Sequence, residues 1–129
     1  MSSETPTGVG EDQGPDIGEV VRFEVSTHGD AVVVGVYGEV DTMTAPVLTE
    51  RISEQLGRAS LLVVDLSPVT FLGSAGLAAL VEGKENAEKA GIRLRLVCGS
   101  HAVTRALEAT NLMSLFDVAG SAQEALGSA

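Results

Sequence analysis

The chain has 129 residues, 44% of them hydrophobic, which suffices for one domain with a real core. Its 18 acidic residues outweigh 8 basic ones, for a formal net charge of −10. That balance argues against nucleic acid and anionic membrane as partners, since both require a basic surface, and three Phe, one Tyr and no Trp leave few rings for stacking on single strands or sugars.

Residues 1–18, MSSETPTGVGEDQGPDIG, hold two prolines, four acids and no base. Such a stretch buries too little apolar area to offset its ordering entropy, so a flexible acidic N-terminal tail is expected, with residues 19–129 as the folded domain. VRFEVST (21–27) alternates apolar Val21, Phe23 and Val25 with polar neighbours, the pattern of a half-exposed strand. HGD at 28–30 supplies a turn, and AVVVGVY (31–37) reads as a second, antiparallel strand leading into a sheet.

GEVDTMTAPVLTERISEQL then moves to helical period. Leu48, Ile52 and Leu56 fall at i, i+4 and i+8, with Thr44 as N-cap and Pro46 in the first turn. LLVVDL (61–66) reads as a strand covered on both faces. The next helix is expected from about Ser74 to Ala90, with Leu77, Leu80, Val81 and Ala87 as its stripe, Lys89 near its negative end and Gly91 as its stop. IRLRLVC gives a further strand, HAVTRALEAT a helix capped by Ser100 or His101, LFDVA a last short strand, and SAQEAL a last helix capped by Ser121. The order is that of an α/β domain: a mixed sheet of four to five strands, an N-terminal hairpin followed by parallel strands, and about four helices.

In such sheets ligands and partners meet the loops beyond the carboxyl ends of the strands. Two loops qualify: GEVD (38–41) and SPVTFLGSAG (67–76). In the second, Ser74 falls where a helix N-cap belongs. Two readings stay open for it, a simple cap or a hydroxyl held out for modification, where a phosphate would meet free N–H groups and the positive end of the helix dipole. A catalytic serine is disfavoured, because the hydrolase elbow G-x-S-x-G needs glycine where Leu72 stands. His28 in the hairpin turn and His101 at a helix start are poor general bases. The phosphate-binding spacing G-x-x-x-x-G-K-[ST] is absent, and two histidines with one cysteine, far apart, give no metal-ligand set. Asp41 and Asp65 end strands, where carboxylates usually cap the following turn. Cys98, the only cysteine, excludes an internal disulfide and reads as a buried, inert thiol. Neither enzymatic activity nor a cofactor is expected. No basic-then-apolar segment opens the sequence, and no apolar run approaches the roughly 18 residues of a membrane span, so a soluble cytoplasmic protein is expected.

GEVD, then LLVVDLSPVTFLGSAGLAAL, then HAVTRALEATNLMSLFDV, in this order and spacing, resemble a STAS domain of the anti-sigma factor antagonists, over roughly residues 20–127. The resemblance implies a partner switch in transcription regulation. The antagonist binds an anti-sigma factor, itself a kinase of the histidine-kinase-like ATPase type, and frees the sigma factor. Phosphorylation of the serine opening the second helix, here Ser74, ends the interaction, and a PP2C-type phosphatase resets it. The partner-binding residues implied are Glu39, Asp41 and Thr42 in the first loop and Gly73, Ser74, Ala75, Gly76 and Leu77 in the second. Many phosphorylated members carry Asp where this chain has Gly73, and a second serine is common where it has Ala75. A STAS module of a transport complex and a small-ligand or nucleotide binder are the alternatives.

Overall fold

The computed structural model describes residues 21–127, and the tail expected over residues 1–18 lies outside them. β1 (Val21–His28) pairs antiparallel with β2 (Ala31–Val40), Val21 facing Gly38 and His28 facing Ala31 across the two-residue turn that HGD predicts. β3 (Leu61–Asp65) lies parallel to the first half of β2, β5 (Arg93–Val97) parallel to β3, and β6 (Asp117–Ala119) parallel to β5. The sheet order is therefore β1-β2-β3-β5-β6.

The sixth strand, β4 (Val69–Leu72), falls in the stretch read from sequence as a loop. It pairs parallel with the second half of β2, after a register shift at Gly38 and Glu39. Gly38 has φ 104°, a conformation glycine adopts without Cβ strain, and the bulge there bends β2 from β3 towards β4. Val69 and Leu72 are buried while Thr70 and Phe71 face out, so these four residues carry no alternation that would mark a strand.

The described residues hold four α-helices: α1 (Ala45–Gln55), α2 (Ser74–Ala90), α3 (His101–Ala109) and α4 (Ala122–Gly127). Val32, Val34 and Val36 of β2, Leu62 and Val64 of β3, and Leu94 and Leu96 of β5 form one sheet face, packed beneath Leu48 and Ile52 of α1, Leu77 and Leu80 of α2, and Val103 and Leu107 of α3. The opposite face, around Val33, Val63, Val97 and Ala119, is covered by Ala125 and Leu126 of α4. β3 is thus buried from both sides, which explains its unbroken apolar run. Arg95, 7% exposed, holds α4 down: one guanidinium N–H donates to the Ala125 carbonyl at 3.1 Å, and Nε lies 3.2 Å from the Asp117 carboxylate.

Two caps match the sequence reading: Ser100 Oγ accepts from the Val103 N–H, and Ser121 Oγ from the Glu124 N–H. Two differ. Thr44 stands at the N-cap of α1, but its hydroxyl does not cap it, being committed to the turn before the helix. Ser74 is not an N-cap: Gly73, extended at φ −86° and ψ 178°, takes that place, and Ser74 is the first helical residue. α2 does end as expected, at Gly91 with φ 75°. Cys98 is half-buried just beyond β5, and burial pushes its thiol up to about 11, consistent with an inert group.

Candidate functional site

Where β2 and β4 end side by side, the two candidate loops meet. Glu39 pairs with Phe71 and Val40 with Leu72, and the Gly73 N–H then donates to the Val40 carbonyl at 2.9 Å. This bond fixes the entry to α2 directly beside the entry to α1. Sequence spacing alone does not supply that juxtaposition, because it depends on pairing across some thirty residues.

The first loop is a tight, self-satisfied turn. Oδ1 of Asp41 accepts from the Met43 N–H at 3.0 Å and the Thr44 N–H at 3.1 Å. The Thr44 hydroxyl, fully buried, accepts from the Asp41 N–H at 2.9 Å and lies 3.1 Å from both the Glu39 carbonyl and Oδ1 of Asp41. Asp41 therefore caps this turn, and Asp65 does the same after β3, accepting from the Ser67 N–H. Hydrogen bonds from Thr44, its backbone N–H foremost, hold the Asp41 carboxyl below the usual aspartate range against a smaller opposing effect of burial. A group lowered in the folded state contributes stability above its unfolded value and loses that contribution as pH falls through its folded one. The turn is therefore expected to loosen in acid, and Asp41→Ala to loosen it at neutral pH. Hydrogen-exchange protection at the Met43 and Thr44 amides reads both effects, and protection unchanged in Asp41→Ala contradicts the capping role.

The second loop presents Ser74 at the surface. Its hydroxyl caps nothing and makes no hydrogen bond with any described residue. Around it the implied residues divide by depth. Glu39 and Thr42 are exposed, and Asp41, Gly73 and Ala75 are partly covered. Gly76 and Leu77 belong to the packed core, where they position the helix start. Two exposed apolar side chains flank this face and were not singled out from sequence: Met43 (67% exposed) and Phe71 (50% exposed), the latter with its ring against Gly73. Met43 shows in the sequence as an apolar residue between two threonines, whereas Phe71 is hidden in the apolar run VTFL. Neither histidine belongs to this region in the way a serine nucleophile needs. His28 sits at the hairpin, the opposite end of β2, and His101 opens α3 at the surface.

Comparison with known proteins decides the family. The STAS domain profile matches residues 22–125. The chain belongs to the STAS domain family. It is 32% identical to an anti-sigma factor antagonist from Mycobacterium paratuberculosis of known structure, with a TM-score of 0.77 over 85% of this chain and 94% of that one. It is also 39% identical over 66 residues to the anti-sigma-F factor antagonist RsfB of Mycobacterium tuberculosis, a match covering 50% of this chain and 54% of that relative, so about half the length of RsfB is spanned. A sulfate transporter family protein from Wolinella succinogenes shares the fold at 19% identity, with a TM-score of 0.69 over 80% of this chain and 87% of that one. The STAS fold by itself therefore does not separate sigma-factor regulation from transport. No helix among the described residues is long and apolar enough to cross a membrane.

Proposed function

We propose that this STAS domain is an anti-sigma factor antagonist that binds a kinase-type anti-sigma factor through the face around Ser74 and is released when Ser74 is phosphorylated. The observation that carries the reading is the Ser74 hydroxyl: exposed, uninvolved in capping and fixed at the start of α2 beside the Asp41 turn. A structural cap spends its oxygen on the backbone, whereas this one is left for an outside partner. The two relatives of highest identity named above, both antagonists, favour sigma-factor regulation over transport. The small-ligand alternative has no specific observation in its favour.

The chemistry asked of this chain is small. The Ser74 oxygen attacks the γ-phosphorus of ATP held by the anti-sigma factor, the bond to the β-phosphate oxygen breaks, ADP leaves, and the hydroxyl proton passes to a base on the kinase. The chain supplies an acceptor on a rigid helix start and a rim of exposed surface, Glu39, Thr42, Met43 and Phe71, for the kinase to grip. A PP2C-type phosphatase resets the chain by hydrolysis: water attacks the phosphorus, inorganic phosphate leaves and the Ser74 hydroxyl is restored, and the cycle runs in the cytoplasm.

The test is calorimetric titration of the unmodified chain into kinase-type anti-sigma factors from its own genome and into the anti-sigma-F factor of Mycobacterium tuberculosis. Saturable 1:1 binding to one of them, retained in Ser74→Ala, is the expected result. Binding to none, with capture by a permease complex instead, overturns the reading in favour of transport.

A further inference from the structure

Starting at Ala75, the residue after Ser74, a groove of about 380 Å³ lies between α1 and α2. One wall is Thr42, Ala45, Pro46 and Thr49; the other is Ala75, Ala78, Ala79 and Glu82. Each wall repeats at i, i+3, i+4 and i+7, which on α2 is a ridge about 10 Å long. Next to Glu82, Gly83 lies buried against Ile52 of α1, so tightly that a Cβ there would stand 3.1 Å from the isoleucine side chain. Exposed Met43 directly follows Thr42, which lines the groove.

The lining is apolar or neutral except at one point. Glu82 is exposed and forms no ion pair with any described residue. Lys84, two residues along α2, pairs with Glu88, and Arg51 of α1 pairs with Glu50 and Glu54. An unpaired carboxylate covered by a partner costs binding energy unless that partner brings a cation to it. A trough two helical turns long, lined by small side chains on both walls, has the dimensions of a helix-in-groove site.

We infer that the α1–α2 groove receives a helix of the anti-sigma factor, with an apolar side chain over Ala75 and Ala78 and a lysine or arginine opposite Glu82, so that Glu82 selects the partner. The inference rests on the antagonist reading above and adds a second control to it: Ser74 governs whether the partner is held, and Glu82 governs which partner. Selection is by exclusion as much as attraction, since a helix with a neutral or acidic residue at that position leaves Glu82 buried and unpaired.

The experiment measures affinity of the full chain, Glu82→Gln and Glu82→Lys for the anti-sigma factor bound by the wild type in the titration above, with thermal melts showing that the variants are folded. Expected are losses of about tenfold for Glu82→Gln and a hundredfold for Glu82→Lys. A Lys- or Arg-to-Glu change on a helix of the anti-sigma factor should restore binding to Glu82→Lys. If Glu82→Lys binds like the wild type, the groove inference fails while the antagonist reading stands. The inference also fails if the groove proves to join two copies of this chain, seen as a dimer in sedimentation that Glu82→Lys dissolves. If the wild type binds no anti-sigma factor, the antagonist reading fails and takes the inference with it.

Discussion

A Gly76→Val chain is expected to melt roughly 10–15 °C below the wild type, a loss of about 3 kcal/mol. A Cβ at this position would stand 2.6 Å from Leu72 Cδ1 and 2.8 Å from Val40 Cγ1, both in buried side chains. Neither neighbour has free space to retreat into, because Leu72 and Val40 are the paired last residues of β4 and β2 and lie under α2. The helix start must therefore move off the sheet, and the adjacent Gly73 N–H bond to Val40 lengthens with it. Gly73→Ala is the matched control. Its Cβ would meet the Phe71 ring at 3.2 Å, and that ring is half-exposed and free to swing aside, so a cost below about 1 kcal/mol is expected. Thermal melts of the two variants read the difference directly. Equal, small shifts for both contradict the close seating of α2 on the ends of β2 and β4.

Phosphorylation of Ser74 is expected to weaken binding to the anti-sigma factor roughly a hundredfold, or about 3 kcal/mol. Two effects oppose each other. At the first helical position a phosphate faces the positive end of the α2 dipole and its free N–H groups, which stabilises the modified chain by about 1 kcal/mol. Against binding, a group of about −1.5 to −2 charge enters a chain already at −10, on a face that carries Glu39, Asp41 and Glu82, and it must be desolvated in the interface. The first effect belongs to the free protein and makes the modification easy to keep. The second falls on the complex and decides release. Affinities of the two forms, measured side by side at two salt concentrations, check the magnitude, and part of the gap should close at high salt. Equal affinities contradict the electrostatic account of release.

Much of this fold was legible in the sequence, for identifiable reasons. The hairpin was readable because alternation in VRFEVST and the HGD turn agree on one register. The limits of α2 were readable because Gly91 stops it sharply and two glycines frame its start. β4 was not readable: its four residues hydrogen-bond along half of one neighbour and show no alternation. Thr44 stands at the N-cap as the sequence indicates but spends its hydroxyl on the turn before the helix, and the cap expected at Ser74 lies one residue earlier. The Asp41 turn, three residues earlier, claims the Thr44 hydroxyl, while Gly73 takes the place given to Ser74, since residue type marks a cap only to within a residue or so. That displacement bears on the proposed function, because a serine one position inside the helix keeps its hydroxyl unspent. The groove, and Glu82 at its end, depend on how α1 and α2 sit against each other, which no local pattern encodes.

The most direct test of the central claim is intact-mass measurement of the full chain and of Ser74→Ala after incubation with ATP and the anti-sigma factor that each binds. The account predicts a gain of one phosphate on the wild type, none on Ser74→Ala, and loss of the complex only for the modified protein. Tight binding with no phosphate on the wild type would contradict it and leave an antagonist whose Ser74 is only part of a helix start.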